Sequence, residues 1–313
     1  MKRTRRIQRS RALAAALLPF TALSIGLGQA SGAPAEQRKA TVSAPSSVRI
    51  GDAATLRGEF PGAGNAQVSI LHRQAGESNF KRAGTTRTGG AGRWKARVKP
   101  RRSGVWRAEL VSQPQEDPLS DERAPDSTSD PKVIRVQSIT RVQPAKRDVV
   151  AGQKFEIRGR VFPEGQRQVV VTLEGKSKRT RTNKSGRYEV DWKVPYAGDY
   201  KVKAKAKGNR DATGSKDSGG KLTAYRYALA SWYGPGLFGN RTACGQTLSP
   251  STRGVAHKSL PCGTKLSIRY GSKEVDVRVI DRGPYVGDRE FDLTQATKND
   301  LGFGSTGQIL VDR

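Results

Sequence analysis

An internal repeat restricts the middle of this chain more than any other feature. The run IGDAATLRGEF from Ile50 returns as AGQKFEIRGRV from Ala151, with Gly51 matching Gly152 and Gly58 matching Gly159. AQVSIL from Ala66 then matches RQVVVTL from Arg167. GRWKARV from Gly92 matches GRYEVDW from Gly186, and SGVWRAELV from Ser103 matches AGDYKVKAK from Ala197. Two copies of one pattern mean two copies of one supersecondary frame. The alternation has a period of two, turn glycines recur at regular intervals, and no helical period is present. Those signs predict two all-β sandwiches of about 85–100 residues each. They are placed at 40–137 and 138–206. The Gly/Ser/Lys stretch KGNRDATGSKDSGGK from Lys207 is expected to continue into a flexible linker over 207–224, leaving 225–313 as a last domain. QPQEDPLSDERAPDSTSDPK from Gln113 reads as a loop or linker near the end of the first module.

In pattern, the two modules resemble bacterial immunoglobulin-like (Ig-like) domains. They also carry most of the charge. The chain has 57 Lys and Arg against 28 Asp and Glu, whereas the segment from Tyr225 onward has 12 basic and 8 acidic residues. Runs such as GKSKRTRTNKSGR from Gly175 are ordinarily solvated faces. On an exported protein, so much basic surface is expected to attract anionic partners: wall teichoic acids, peptidoglycan carboxylates or anionic lipid. Nucleic acid is disfavoured, because the basic runs lack interleaved aromatics.

Export is expected from the N-terminus. MKRTRRIQRSR forms a basic n-region, an apolar stretch runs from Ala12 to about Gly28, and small residues allow cleavage after Ala30 or Ala35. This is the layout of a signal peptide, placed at 1–35. Pro19 and Thr21 interrupt the apolar stretch, which argues against a transmembrane anchor. With no Cys near either cleavage site and no second apolar span, the mature chain is expected to be secreted, either extracellular or held by the wall. Cys244 and Cys262 are the two cysteines present. In an exported protein such a pair reads as one disulfide, stabilising by roughly 3 kcal/mol in the chain-entropy model. Two free thiols would require a reducing compartment. His72 and His257 are the two histidines, and C-x-x-C is absent. Neither a metal site nor an organic cofactor is expected.

Short alternating strands dominate the last domain: KLSIRY, EVDVRVI and GQILVD. A helix is expected from about Thr294 to Leu301, capped by Asp292 or Thr294 and stopped by Gly302. Val275, Val277 and Val279 share one face of the central strand, and Asp281 continues their parity. That parity carries a carboxylate on the apolar face to the strand end. Partial burial there would raise its pKa and suit it to proton transfer. Alternatively, Asp281 caps the following turn.

ASWYGPGLFGNRTACG, VAHKSLPCGTKL and VRVIDRGPYVGDREFDLT resemble, in order and over nearly the whole domain, the rare lipoprotein A (RlpA-like) family, related to expansins and barwin. The resemblance implies a six-stranded double-psi β-barrel with a polysaccharide groove and, in active members, lytic transglycosylase action on peptidoglycan. By position, it puts His257 and Asp281 on the family's active-site residues, with Tyr233, Arg241, Thr242, Arg282 and Tyr285 lining the groove. Asp292 is expected to be a structural residue. Gln246 stands where the family often has an acid; it can hydrogen-bond a sugar but cannot move a proton. The family's septal glycan-binding domain has no counterpart after the barrel, so septal targeting is not carried over.

The chemistry such a site performs is cleavage between N-acetylmuramic acid and N-acetylglucosamine with a 1,6-anhydro product. One carboxyl can protonate the leaving oxygen and then take the C6-hydroxyl proton, so the paired carboxylates of ordinary glycosidases are not required. Asp281 is the expected acid and base. His257 is expected to orient substrate or stabilise charge, or else to make a structural hydrogen bond. The alternative to an enzyme is a non-catalytic, expansin-like module that binds or loosens wall glycan.

Overall fold

A computed structural model describes residues 39–111, 128–143 and 149–313. The signal peptide expected over 1–35 and most of the Pro-rich stretch from Gln113 lie outside these residues. The chain is almost wholly β-structure, in two sandwiches and a barrel.

The first sandwich contains β1 (Thr41–Ser43), β2 (Ser47–Arg49), β3 (Ala54–Glu59), β4 (Gln67–Gln74), β5 (Lys81–Arg87), β6 (Arg93–Val98), β7 (Gly104–Leu110) and β8 (Lys132–Gln137). One sheet runs β1-β3-β6 and the other β2-β8-β7-β4-β5. Between them lies a core that includes Leu56, Phe60, Ile70, Trp94, Trp106 and Ile134.

The second sandwich is built from β9 (Ile139–Gln143), β10 (Val149–Val150), β11 (Lys154–Phe162), β12 (Gln168–Leu173), β13 (Lys176–Arg181), β14 (Arg187–Lys193), β15 (Gly198–Ala206) and the first half of β16 (Ser215–Tyr233). Its sheets, β9-β11-β14 and β13-β12-β15-β16 with β10 beside β16, repeat the first sandwich strand for strand. The repeat extends to single hydrogen bonds. The Thr88 hydroxyl donates to Ala63 O and accepts from Ala66 N, while the Thr182 hydroxyl donates to Gly165 O and accepts from Arg167 N.

The matching glycines have a packing role. Gly58 lies opposite Trp94 and Gly159 opposite Tyr188 in the β3–β6 and β11–β14 ladders. A Cβ on Gly58 would come 2.0 Å from Thr41 O and 2.7 Å from the Trp94 ring; on Gly159 it would come 2.2 Å from the Tyr188 ring. Each glycine thus lets a large aromatic from the next strand lie flat across the backbone, giving each sandwich part of its core.

The flexible linker expected at 207–224 is not what the structure contains. Ser215–Tyr233 is one strand, and its first half is the counterpart of β8: it pairs antiparallel with β15 from Ser215 to Ala224 and parallel with β10 through Tyr225. The second sandwich needs this strand to cover its core, where Leu222 and Ala224 are buried. The turn before it packs on the first sandwich. Ala212 joins that core, Ser103 N donates to Asp211 O, and Thr213 N donates to Val136 O. The polar, glycine-bearing composition that reads as a tether therefore belongs to a half-exposed strand and a turn.

The second half of β16 opens the barrel, followed by β17 (Val255–His257), β18 (Lys265–Tyr270), β19 (Lys273–Asp281), β20 (Phe291–Thr294), α1 (Gln295–Leu301) and β21 (Gly307–Val311). The order β16-β20-β17-β19-β18-β21 closes because β21 also pairs with β16, giving six strands without a free edge. Ala230, Val255, Leu266, Ile268, Val279, Phe291, Leu293 and Val311 fill the interior. Thr294, not Asp292, caps α1 by accepting from Thr297 N, and Gly302 ends it in a left-handed conformation at φ 64°.

Replacing Gly58 or Gly159 by Ala should cost about 1–3 kcal/mol each, because backbone as well as ring must move. Gly84→Ala, in open space on β5, is the control. Urea denaturation reads all three, and a Gly159→Ala variant as stable as the control would contradict the packing role.

Candidate functional site

A β-bulge sets the orientation of Asp281. β17 pairs with β19 in parallel, with Val255 opposite Val279 but Ala256 opposite Asp281, so Ile280 is an extra residue on β19. Val279 and Ile280 are consequently buried in succession. The Ile280 carbonyl accepts from Cys244 N, at 3.3 Å. The strict alternation that would have placed Asp281 with the interior valines is broken one residue before it. Asp281 instead joins the outward row Ser231–Asp292–Ala256–Asp281, which crosses four strands.

Three groups meet on this row. Asp281 is half-buried; its Oδ1 accepts from Ala243 N and Arg282 N, both at 2.8 Å. Asp292 lies across Ala256, roughly 10 Å away at Cα from two strand spacings. It accepts from the Ser231 hydroxyl at 2.7 Å. Burial, with a further push from the Asp281 charge, raises the Asp292 pKa above the ordinary carboxylate value. Tyr233, two residues beyond Ser231, brings a buried hydroxyl to the same place. Burial pushes this phenol up, and the Asp281 carboxylate adds to the shift through its charge and a hydrogen bond. The buried hydroxyl of Thr242 in the neighbouring loop has no hydrogen-bond partner among the described residues. A buried hydroxyl left open beside the loop that binds Asp281 suits a site that completes its hydrogen bonds with a ligand.

His257 is organised differently. It lies on the face of Phe291, its ladder partner, with ring centroids 4.9 Å apart. By register its side chain and that of Asp281 occupy opposite faces of the barrel wall, and no hydrogen bond joins them among the described residues. Nδ1 accepts from Ser259 N at 3.1 Å and Leu260 N at 2.9 Å, so the ring proton belongs on Nε2. Nε2 faces Glu290 Oε1 at 3.4 Å. Glu290 is also held by Arg226, and that pairing keeps its pKa below the ordinary value. Both imidazole nitrogens thus have protein partners.

Of the residues expected to line the groove, Arg282 is a clamp: Nη1 donates to His257 O at 3.2 Å and Leu260 O at 2.9 Å, and Nη2 lies 3.5 Å from Cys262 Sγ. Cys244 and Cys262 form a disulfide, tying the loop that offers Ala243 N to the loop that Arg282 holds. Arg241 is exposed and donates to Gly245 O at 3.2 Å. Tyr285 stands 79% exposed beside Val286 at the tip of the loop after Asp281. Gln246 belongs to the same loop as Thr242 and Ala243, its carbonyl accepting from Thr242 N. It lines a cavity of about 710 Å³ between barrel and second sandwich, with Asp199, Lys221 and Tyr225, whose lining does not include Asp281. Among the described residues no three His, Cys, Asp or Glu side chains converge as metal ligands would, and no helix is long and apolar enough to cross a membrane.

Asp292 is the residue that sequence reasoning set aside. Its place two residues before the helix made it a cap candidate, and only cross-strand register brings it to Asp281.

Residues 227–312 match the family described as lytic transglycolase, whose fold is the double-psi β-barrel. Relatives include the protein of a Synechocystis species named "Probable endolytic peptidoglycan transglycosylase RlpA", 36% identical over 93 residues, 29% of each chain. The endolytic peptidoglycan transglycosylases RlpA of Campylobacter jejuni and Pseudomonas aeruginosa are 38% and 41% identical over 85 and 91 residues. These spans are 26% and 28% of this chain, and 31% and 27% of the relatives. The chain therefore spans less than a third of each of these relatives, and the family match covers the barrel.

Asp292→Asn keeps an acceptor for Ser231 and removes a buried acid. An acid whose folded pKa is raised makes its full contribution below the unfolded value, and that contribution is lost as pH rises through the folded value. The variant should therefore melt above the wild type at pH 7, and the gap should close below about pH 4, where the free carboxyl is protonated. Thermal melts across that range check the sign; a variant that melts lower at pH 7 would contradict it.

Proposed function

We propose that the barrel cleaves the glycan strands of peptidoglycan by lytic transglycosylation, and that Asp281 and Asp292 divide the proton transfers. The observation that carries this reading is the outward row on which two carboxyls flank Ala256 in different environments. Environments that push two acids apart assign them opposite roles. Asp292, half-buried and raised, is the proton donor to the leaving glycosidic oxygen. Asp281 takes the proton of the muramic C6 hydroxyl. The bond from C1 to the leaving oxygen breaks and one from C1 to O6 forms, giving the 1,6-anhydro end without water. Solvent returns the proton from Asp281 to Asp292. This differs from a single carboxyl acting twice.

Thr242 offers its buried hydroxyl to the sugar, Tyr233 holds the Asp281 carboxyl, and the exposed Tyr285 offers a ring face. His257 is a positioning residue here: its two backbone acceptances and the Glu290 contact shape the loop from Ser259 to Cys262, which Arg282 and the disulfide fasten beside Asp281. Gln246 takes no proton in this scheme. The reading places the protein in the cell envelope, exported as the N-terminus suggests, with the basic sandwiches holding it to anionic wall polymers. The matching family and the names of the relatives support the same substrate.

Purified protein incubated with peptidoglycan sacculi should release muropeptides with 1,6-anhydro ends, read by mass spectrometry. Asp281→Asn and Asp292→Asn should each lower the release by about 10²-fold or more, the usual size of a general acid or base contribution. Full activity in Asp292→Asn would return both transfers to Asp281. No product from the wild type, with the protein still pelleting with sacculi, would leave a glycan-binding module of the expansin kind.

A further inference from the structure

The two sandwiches share one frame, so differences between them at matching positions are not demanded by the fold. In the β9-β11-β14 sheet, Arg160 pairs with Arg141 on one side and Arg187 on the other. All three point outward, since Ile157, Gly159 and Val161 of β11 face the core. Like charges directly opposite across a ladder repel. The matching row of the first sandwich is Thr41–Glu59–Arg93, with an acid at its centre. The second sandwich has replaced the neutral residue and the acid by arginines.

A groove of about 810 Å³ takes in Arg160 and Arg187 of this row, with Arg158 and Glu189 beside them and Arg181 and Asn183 from β13 and the turn after it. The Thr180 hydroxyl, donating to Glu189 O at 3.1 Å, holds the two walls together. Arg160 pairs with Glu164, and Arg158 with Glu156. Arg141, Arg181 and Arg187 make no ion pair among the described residues.

We propose that this groove binds a phosphodiester-linked polyol chain of the cell wall, with Arg160, Arg187 and Arg181 on its phosphates and Arg141, the ladder neighbour of Arg160, extending the charged row beyond the lining. Guanidinium forks fit phosphate oxygens two at a time. The row holds its charges over roughly 10 Å, two strand spacings, which suits a polymer charged at every repeat better than one carboxylate. Gln143 and Asn183, also in the lining, can bond polyol hydroxyls. Nucleic acid fits less well. The ring nearest the groove, Tyr188, is 4% exposed, packed on Gly159 and bonded to Arg141 O, so no face is offered to a base. The choice of a wall polymer over other phosphodiesters rests on the peptidoglycan reading of the barrel; the groove's preference for phosphate does not.

The test is titration of the full-length mature protein with poly(glycerol phosphate) at several salt concentrations. Arg181→Gln with Arg187→Gln should weaken binding by about tenfold and flatten the salt dependence, whereas Arg87→Gln with Arg93→Gln, the matching pair in the first sandwich, should change it by less than about twofold. A second variant, Arg141→Thr with Arg160→Glu, rebuilds the row of the first sandwich and should lose binding while keeping a cooperative thermal melt. No binding by the wild type would overturn the proposal, as would equal losses in the two sandwiches. Displacement by inorganic phosphate at matched phosphate concentration would reduce the groove to a single-anion site and also overturn it. Single-stranded DNA of equal phosphate count, bound as tightly and lost in the same variants, would overturn the wall assignment. Release of 1,6-anhydro products from sacculi stripped of phosphate polymers is measured in parallel. Groove variants should leave that release unchanged, so failure of the groove and failure of the barrel reading give separate signatures.

Discussion

The ladder along β16 is the interaction on which the rest of the structure depends. Its first half completes the second sandwich through β15 and β10; its second half opens and closes the barrel through β20 and β21. A strand of 19 residues extends roughly 60 Å at the usual rise, so its hydrogen bonds tie two separate cores to one backbone. Where the cores meet, the Tyr225 hydroxyl donates to Glu274 Oε1 at 3.0 Å, and the Ser267 hydroxyl donates to the same oxygen. The barrel is thereby continuous with the sandwich. The far end of the same strand delivers Ser231 and Tyr233 to the carboxylate row.

Within the barrel, one extra residue decides the chemistry. Without the Ile280 bulge, Asp281 would point inward among valines, where an ionised carboxyl is costly. With it, Asp281 stands outward, two backbone N–H groups meet Oδ1, and its charge reaches Asp292 and Tyr233. The bulge leaves the Ile280 carbonyl to Cys244 N, and Cys244 is bonded to Cys262. Backbone donor, disulfide and Arg282 clamp thus belong to one construction around the end of β19. His257 serves it from the opposite face.

The sandwiches show how a duplicated frame can diverge without losing its core. The glycine–aromatic pairs Gly58–Trp94 and Gly159–Tyr188 are kept, because a side chain on either glycine would meet backbone. Outward positions are free of that constraint, and there the second copy has gathered arginines where the first keeps an acid.

Much of the architecture was legible in the residues. The period of two, the repeated glycines and the GRW and GRY runs specify two sandwiches, because turn geometry and face alternation are local properties of a strand. The cysteine pair, the helix at Gln295–Leu301 and its Gly302 stop are local in the same sense. What only the tertiary structure decided is non-local. The stretch at 207–224 became a strand because β15 and β10 stand ready to pair with it and a core needs covering, and composition records neither. Asp281 changed faces because a bulge depends on the register between β17 and β19, which alternation along one strand cannot reveal. Asp292 became a partner of Asp281 because both pair with Ala256. His257 lost its freedom to Ser259, Leu260 and Glu290 for a like reason. Sequence by itself determined most of the strands and the faces they bury, because both are local; the pairing of distant strands, where each hydrogen bond joins residues far apart in the chain, decided the strand at 215–224, the face of Asp281 and which side chains meet.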